Sequence, residues 1–165
     1  MSEETDLSSE DTPGVIAPPP LIFGVPLVLG IVFHKTVGGF DLPLYILSWP
    51  VRAFGGAAVA IVGAAFIATA LWQFRRAETP PEPWEPTRAL TFAGPYRLTR
   101  NPMDLGMAFI YFGITLIAGC LVMLAFLIPV LFVVDRFVIA REEAYLSRRF
   151  GRPYRDYQAR SRRWL

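Results

Sequence analysis

The sequence predicts an all-α bundle of helices that crosses a membrane several times. Hydrophobic residues make up 53% of the 165 residues, the mean hydropathy is +0.40, and only 18% of the residues are charged. A soluble domain of this length could not comfortably bury so much apolar surface, so lipid is the expected solvent. We therefore expect a polytopic membrane protein with about four transmembrane helices and a cytoplasmic C-terminal helical segment.

Residues 1–20 are predicted to form a disordered tail that reaches the membrane surface. Residues 1–11 hold five acids and no base, and a proline-rich stretch follows them. A segment of this composition has too few apolar residues to build a core of its own. The acidic start, with no cleavage site after an apolar core, also distinguishes it from a signal peptide. Residues 21–165 are then one membrane-embedded domain.

The apolar runs predict four spans, at about residues 21–36, 52–74, 104–118 and 121–139. The first run is short and contains Pro26, so it needs flanking residues in the headgroup zone, because a full crossing takes roughly 20 residues. The second run is the cleanest span, and its small residues permit close helix contact. The stretch 105–134 is too long for one crossing, so we place a tight hairpin near Gly119.

The arginines predict that both termini face the cytoplasm. Arginines flank the second and third spans and follow the fourth, whereas the turn at 118–121 carries no charge. Positive residues stay on the cytoplasmic side, and acids weigh little in this rule. Residues 78–104 and the C-terminal segment, residues 140–165, therefore share the cytoplasmic face of the expected inner (cytoplasmic) membrane.

The charge distribution also limits the function classes. Residues 141–165 hold eight arginines against three acids, which suits an anionic membrane surface better than nucleic acid. Cys120 is the single cysteine, and no cluster of Cys and His in the sequence suggests a metal site. The expected partners are the lipid bilayer and a lipophilic or lipidated acceptor, with no nucleic acid and no metal.

Asp135 is a functional candidate because an ionisable residue at the lipid boundary is costly. If the fourth helix continues unbroken from Leu121 into the 140s, Asp135 and Glu142 share a face, as do Arg136 and Glu143. The alternative is that these carboxylates only pair with neighbouring arginines, as at a solvated helix end.

Several motifs, in their order and spacing, resemble the isoprenylcysteine carboxyl methyltransferase family. They are GPYR from Gly94, TRNP from Thr99, a glycine before the apolar hairpin, then EE, FG, two tyrosines and a terminal arginine cluster. The likeness covers about residues 50–165 and implies a membrane-embedded methyltransferase that binds S-adenosylmethionine in its C-terminal half. The implied cofactor site consists of Tyr96, Arg100, Asn101, Pro102, Asp104, Gly106, Glu142 and Glu143.

Two positions depart from the family's pattern. The family commonly has His where this chain has Asn101, and an amide can still donate or accept a hydrogen bond but cannot be protonated. It commonly has Tyr where this chain has Asp104. That exchange replaces an aromatic surface with a negative charge, which either meets the cofactor's positive charge or complements the N-terminal dipole of the third span.

The expected reaction is methylation of a carboxylate of the isoprenylcysteine type. A carboxylate acceptor is already ionised at neutral pH, whereas an ammonium must first lose a proton. Positioning and exclusion of water would then supply most of the acceleration. The expected catalytic residues are Arg100, Glu142 and Glu143. The alternatives are a phospholipid amine N-methyltransferase, an NADPH-dependent membrane reductase of isoprenoid or sterol-like substrates, and a catalytically silent membrane protein.

The predicted topology can be tested with reporter fusions in cells. Reporters at the C-terminus and in the 78–90 loop should report the same compartment, opposite to a reporter near Gly39. Opposite signals from the first two positions would contradict a shared cytoplasmic face.

Overall fold

The computed structural model describes residues 13–38, 40–43, 47–78, 87 and 89–165. The elements in chain order are α1 (Pro19–Thr36), α2 (Trp49–Arg76), a 3-10 turn (Gly94–Arg97), α3 (Pro102–Ala118), α4 (Leu121–Val133), a π-helical segment (Val134–Ile139), α5 (Ala140–Phe150) and α6 (Arg152–Gln158). The predicted disorder of residues 1–12 lies outside the described residues, and α1 begins at Pro19.

The all-α membrane architecture predicted from the sequence is confirmed. Within the described residues, α1, α2 and the continuous helix Leu121–Phe150 are long and apolar enough to cross a membrane. The helix α3 is also apolar but has 17 residues. It therefore rises about 25 Å, against the roughly 30 Å of a hydrocarbon core. The count of four crossings stays a prediction for this reason.

The hairpin between α3 and α4 forms where the sequence predicts it. Gly119 has a φ of 66° and ends α3, because only this left-handed conformation turns the chain directly into α4. The segment before α2 lies against this turn, since the Leu42 amide donates to the Gly119 carbonyl at 2.6 Å and the Leu121 amide to the Phe40 carbonyl at 2.8 Å.

Two pairs of glycines hold α2 and α3 together. Gly56 lies against Gly113, and Gly63 lies against Gly106; a Cβ atom added to any of the four would meet atoms of the facing helix closer than 3.0 Å. Helices approach this closely only where side chains are absent. The close contact predicted from the small residues of the second span is thus confirmed, and it fixes the start of α3 on α2.

The helix that begins at Leu121 continues to Phe150, but its path contains one π-helical segment. A π segment has more residues per turn than an α-helix, so it shifts the faces of all residues after it. Asp135 contacts the same guanidinium as Glu143, that of Arg163, while Glu142 lines a cavity together with Asp104. The prediction that Asp135 and Glu142 share a face is therefore wrong by one residue.

The glycine contact gives a direct stability test. Gly63→Ala should lower the free energy of unfolding by about 1–3 kcal/mol, because the added methyl group forces α2 away from α3. Gly55→Ala is the matched control, since nothing lies within 4 Å of a Cβ added there. Thermal unfolding in detergent measures both variants, and equal melting temperatures would contradict the packing described.

Candidate functional site

A cavity of about 530 Å³ lies where the start of α3 meets α5 and α6. This volume is within the range of small-molecule sites in proteins. One wall is polar and aromatic, and the other is apolar. The apolar wall consists of Ile67, Leu71 and Phe74 from α2, Met103 and Met107 from α3, and Pro18, Pro19 and Pro20 at the start of α1.

All but one of the residues predicted to bind the cofactor line this cavity. They are Tyr96, Arg100, Asn101, Pro102, Asp104, Glu142 and Glu143. Gly106 does not line it and instead packs against Gly63. The structure thus brings together two segments that are about 40 residues apart in the sequence, while the role of each residue stays a prediction.

The Arg100 guanidinium is the central polar contact of the cavity wall. Its Nε donates to Oε1 of Glu143 at 2.9 Å, and Nη1 donates to the carbonyls of Gln158 and Ser161. Both side chains are largely buried, at 13% and 10% exposure. Nε and Nη1 of Arg100 are thus engaged by the protein, and its charge is paired with that of Glu143.

The end of the chain is bound along residues 99–101. The Arg100 amide donates to the Arg162 carbonyl at 2.9 Å. The Arg163 carbonyl accepts from Oγ1 of Thr99 at 2.8 Å and from Nδ2 of Asn101 at 3.1 Å. Asn101 therefore holds the C-terminal tail as well as lining the cavity. Sequence reasoning missed this contact, although the terminal arginine cluster belonged to the resemblance.

Arg163 links two carboxylates that the sequence placed on different rows of the helix. Its Nη1 lies 3.1 Å from Oδ2 of Asp135, and its Nη2 donates to Oε2 of Glu143. The indole of Trp164 donates to Oδ1 of Asp135 at 3.0 Å. Asp135 does not line the cavity, so its place at the lipid boundary reflects a contact with the tail.

Two carboxyl groups in the cavity have no basic partner among the described residues. Asp104 is 5% exposed, and its Oδ1 accepts no hydrogen bond. Glu142, half-buried on α5, is close enough to interact with Asp104 electrostatically. A buried carboxyl oxygen without a partner costs free energy. This pair makes the cavity a favourable place for a cation.

Three tyrosines form the aromatic side of the cavity. The Tyr157 hydroxyl donates to the Tyr96 carbonyl at 2.6 Å, and Tyr154 is buried beside Tyr157. Burial raises the pKa of all three, and the charge of Glu142 adds to this for Tyr96. The hydroxyls are therefore protonated at neutral pH. Tyr154 and Tyr157, the two tyrosines of the sequence motif, thus both line the cavity.

A sequence model of the phospholipid methyltransferase family matches residues 51–153. The chain belongs to the phospholipid methyltransferase family. This family includes proteins of the isoprenylcysteine carboxyl methyltransferase type, so the resemblance found in the motifs is confirmed. The match extends from α2 into α6 and includes most residues that line the cavity, but not Pro18, Tyr154 or Tyr157.

The chain is also similar to an uncharacterized protein of Haemophilus influenzae, with 54% identity over 33 residues. The aligned part is 20% of this chain and 52% of the relative, so the chain spans about half of that protein's length. No solved structure matches the chain. Among the described residues, no group of three or more His, Cys, Asp or Glu side chains could hold a metal ion.

Proposed function

We propose that this membrane protein is an S-adenosylmethionine-dependent methyltransferase, with its cofactor bound in the cavity and a lipid-like acceptor entering from the bilayer. The observation that carries the proposal is the composition of the cavity. The residues expected to bind the cofactor form its polar wall, and apolar residues of α2 and α3 form the opposite wall. Family membership supports the methyl-transfer chemistry.

The residues present fit this cofactor. S-adenosylmethionine carries a positive sulfonium and a positive ammonium beside one carboxylate, so its net charge is positive. The carboxyl groups of Asp104 and Glu142, which have no basic partner within the described part of the chain, offer attraction to such a cation. The rings of Tyr96, Tyr154 and Tyr157 add flat surfaces that favour cations and aromatic bases. The cofactor supplies an activated methyl group.

The protein's own contribution would be positioning and exclusion of water. In methyl transfer from a sulfonium the positive charge on sulfur is lost to the acceptor, and a site with little water keeps the donor and the acceptor in contact. A cofactor bound in the cavity would displace solvent from beside the buried side chains of Asn101, Asp104 and Glu143. The ion pair between Arg100 and Glu143 keeps the wall in one arrangement, which supports the alignment that such a displacement needs.

The charges of the cavity favour an amine headgroup as the acceptor. Its ammonium form must lose a proton before the nitrogen attacks the methyl group, and the carboxylate of Asp104 or Glu142 would accept that proton. The carboxylate acceptor expected from the resemblance would add negative charge beside the carboxyl groups of Asp104 and Glu142, which have no basic partner among the described residues. Arg100 is occupied by Glu143 and two carbonyls, and Arg163 is occupied by two carboxylates. Placing an unpaired charge in a buried site costs several kcal/mol. The same argument disfavours NADPH, which carries several negative phosphate charges.

Ligand binding to the detergent-purified protein tests the proposed function. Calorimetry should show binding of S-adenosylmethionine and of its demethylated product, and no binding of NADPH. Asp104→Asn should weaken binding of S-adenosylmethionine about tenfold, or ~1.4 kcal/mol, because the mutation removes a charge beside the cationic cofactor.

The matched control is Asp156→Asn, because Asp156 is an exposed acid on α6 that pairs only loosely with Arg152 at 3.8 Å. It should leave the affinity unchanged. Binding of NADPH in place of S-adenosylmethionine would overturn the proposal. Equal affinities of the wild type and Asp104→Asn would place Asp104 outside the cofactor contacts.

A further inference from the structure

We infer that Asp135, which lies outside the cavity, is a positioning residue: it acts through Arg163 to hold Glu143 and Arg100 at the cavity wall. The inference rests on the proposed function, because it concerns the residues that would contact the cofactor. It assigns a role to the C-terminal tail that the match over residues 51–153 does not cover.

Four side chains of alternating charge form one continuous chain. Asp135 contacts Arg163 at 3.1 Å, Arg163 contacts Glu143, and Glu143 contacts Arg100 at 2.9 Å. The exposed fraction of these side chains falls along the chain, from 28% for Asp135 and 31% for Arg163 to 10% for Glu143 and 13% for Arg100. These four side chains thus connect Asp135, which is partly exposed, to the wall of the cavity at Arg100.

The geometry of a guanidinium explains how one end can control the other. Its nitrogens lie in one rigid plane, so a contact at one Nη fixes the position of the other. In Arg163, Nη1 contacts Asp135 and Nη2 contacts Glu143. Asp135 therefore determines where the Glu143 carboxylate finds its partner. A lysine at position 163 would keep the charge and lose this rigid connection.

Asp135 also anchors the last residues of the chain. Trp164 donates to its carboxylate at 3.0 Å, next to the contact with Arg163. The preceding main chain accepts hydrogen bonds from Thr99, Arg100 and Asn101. The tail is thus held on one side by Asp135 and on the other by the segment that lines the cavity. Loss of the contact with Asp135 should therefore weaken the hydrogen bonds between the tail and residues 99–101.

The π-helical segment makes this connection possible. Asp135 lies within it, at Val134–Ile139, and Glu143 follows in α5. The added residue per turn brings Asp135 and Glu143 to the same guanidinium and leaves Glu142 lining the cavity together with Asp104. The helix Leu121–Phe150 can therefore contact the C-terminal tail through one face and line the cavity with another.

A double-mutant cycle tests whether Asp135 and Glu143 act as one unit, although neither carboxylate contacts the other directly. Asp135→Asn should weaken binding of S-adenosylmethionine about tenfold, and Arg163→Lys should have a similar effect. Glu143→Gln should weaken it at least as much. The double variant Asp135→Asn/Glu143→Gln should bind no more weakly than Glu143→Gln alone, because both changes break the same chain.

Asp156→Asn is the control, since it removes an exposed acid from the same C-terminal segment without touching the tail contacts. Additive losses in the double variant, or an unchanged affinity in Asp135→Asn, would overturn the inference. A lowered melting temperature with unchanged affinity would also overturn it, because a purely structural role predicts that result. Failure of the wild type to bind S-adenosylmethionine would instead overturn the proposed function.

A measurement without ligand tests the role of Asp135 independently of cofactor binding. Hydrogen exchange in the peptide that covers residues 94–106 reports on the Arg100 amide, which donates to the tail at Arg162. Asp135→Asn should speed exchange there about tenfold, and Asp156→Asn should not change it. Equal exchange in the wild type and Asp135→Asn would show that Asp135 does not hold the tail against the cavity wall.

Discussion

The ion pair between Arg100 and Glu143 is the contact on which the arrangement of the cavity depends. It joins the segment before α3 to the segment after the π-helical turn, and both side chains are largely buried. Removing one partner from a buried ion pair commonly costs 3–5 kcal/mol, because the other charge is left uncompensated. Here Arg163 shares the Glu143 carboxylate, so the tail reinforces the same contact.

A second consequence of this pairing is the charge that remains in the cavity. Glu143 is neutralised twice, whereas Asp104 and Glu142 have no basic partner among the residues that the structure describes. The charges of the Arg100 and Arg163 guanidiniums are therefore paired with carboxylates of the protein itself. This division explains how a segment rich in arginine can form a cavity that favours cations.

The sequence was sufficient for features that depend on local chemistry. The apolar runs predicted the long helices, the uncharged turn at 118–121 with Gly119 predicted the hairpin, and the small residues of α2 predicted its close contact with another helix. The π-helical segment could not be predicted, because Val134–Ile139 contains no residue type that demands it. The predicted helix face was therefore wrong by one residue.

The cavity residues illustrate the same limit. Motif spacing brought most of them to one place, but it could not show that Gly106 faces Gly63 or that Arg100 is occupied by main-chain carbonyls. Those outcomes depend on how α2 and the C-terminal tail pack around the motif. The class of acceptor depends on this packing too. An unpaired arginine in the cavity would favour a carboxylate acceptor, whereas an unpaired carboxyl group favours an amine.

Transfer of an isotope-labelled methyl group into vesicles tests the central claim most directly. The protein would be incubated with labelled S-adenosylmethionine and one of three kinds of vesicle. Their lipids carry a primary amine headgroup, a quaternary ammonium headgroup or a prenylated carboxylate. The account predicts label in the lipid fraction of the primary-amine vesicles alone. Label only in the prenylated carboxylate would contradict the acceptor, and label in none of the three would contradict methyl transfer at this cavity.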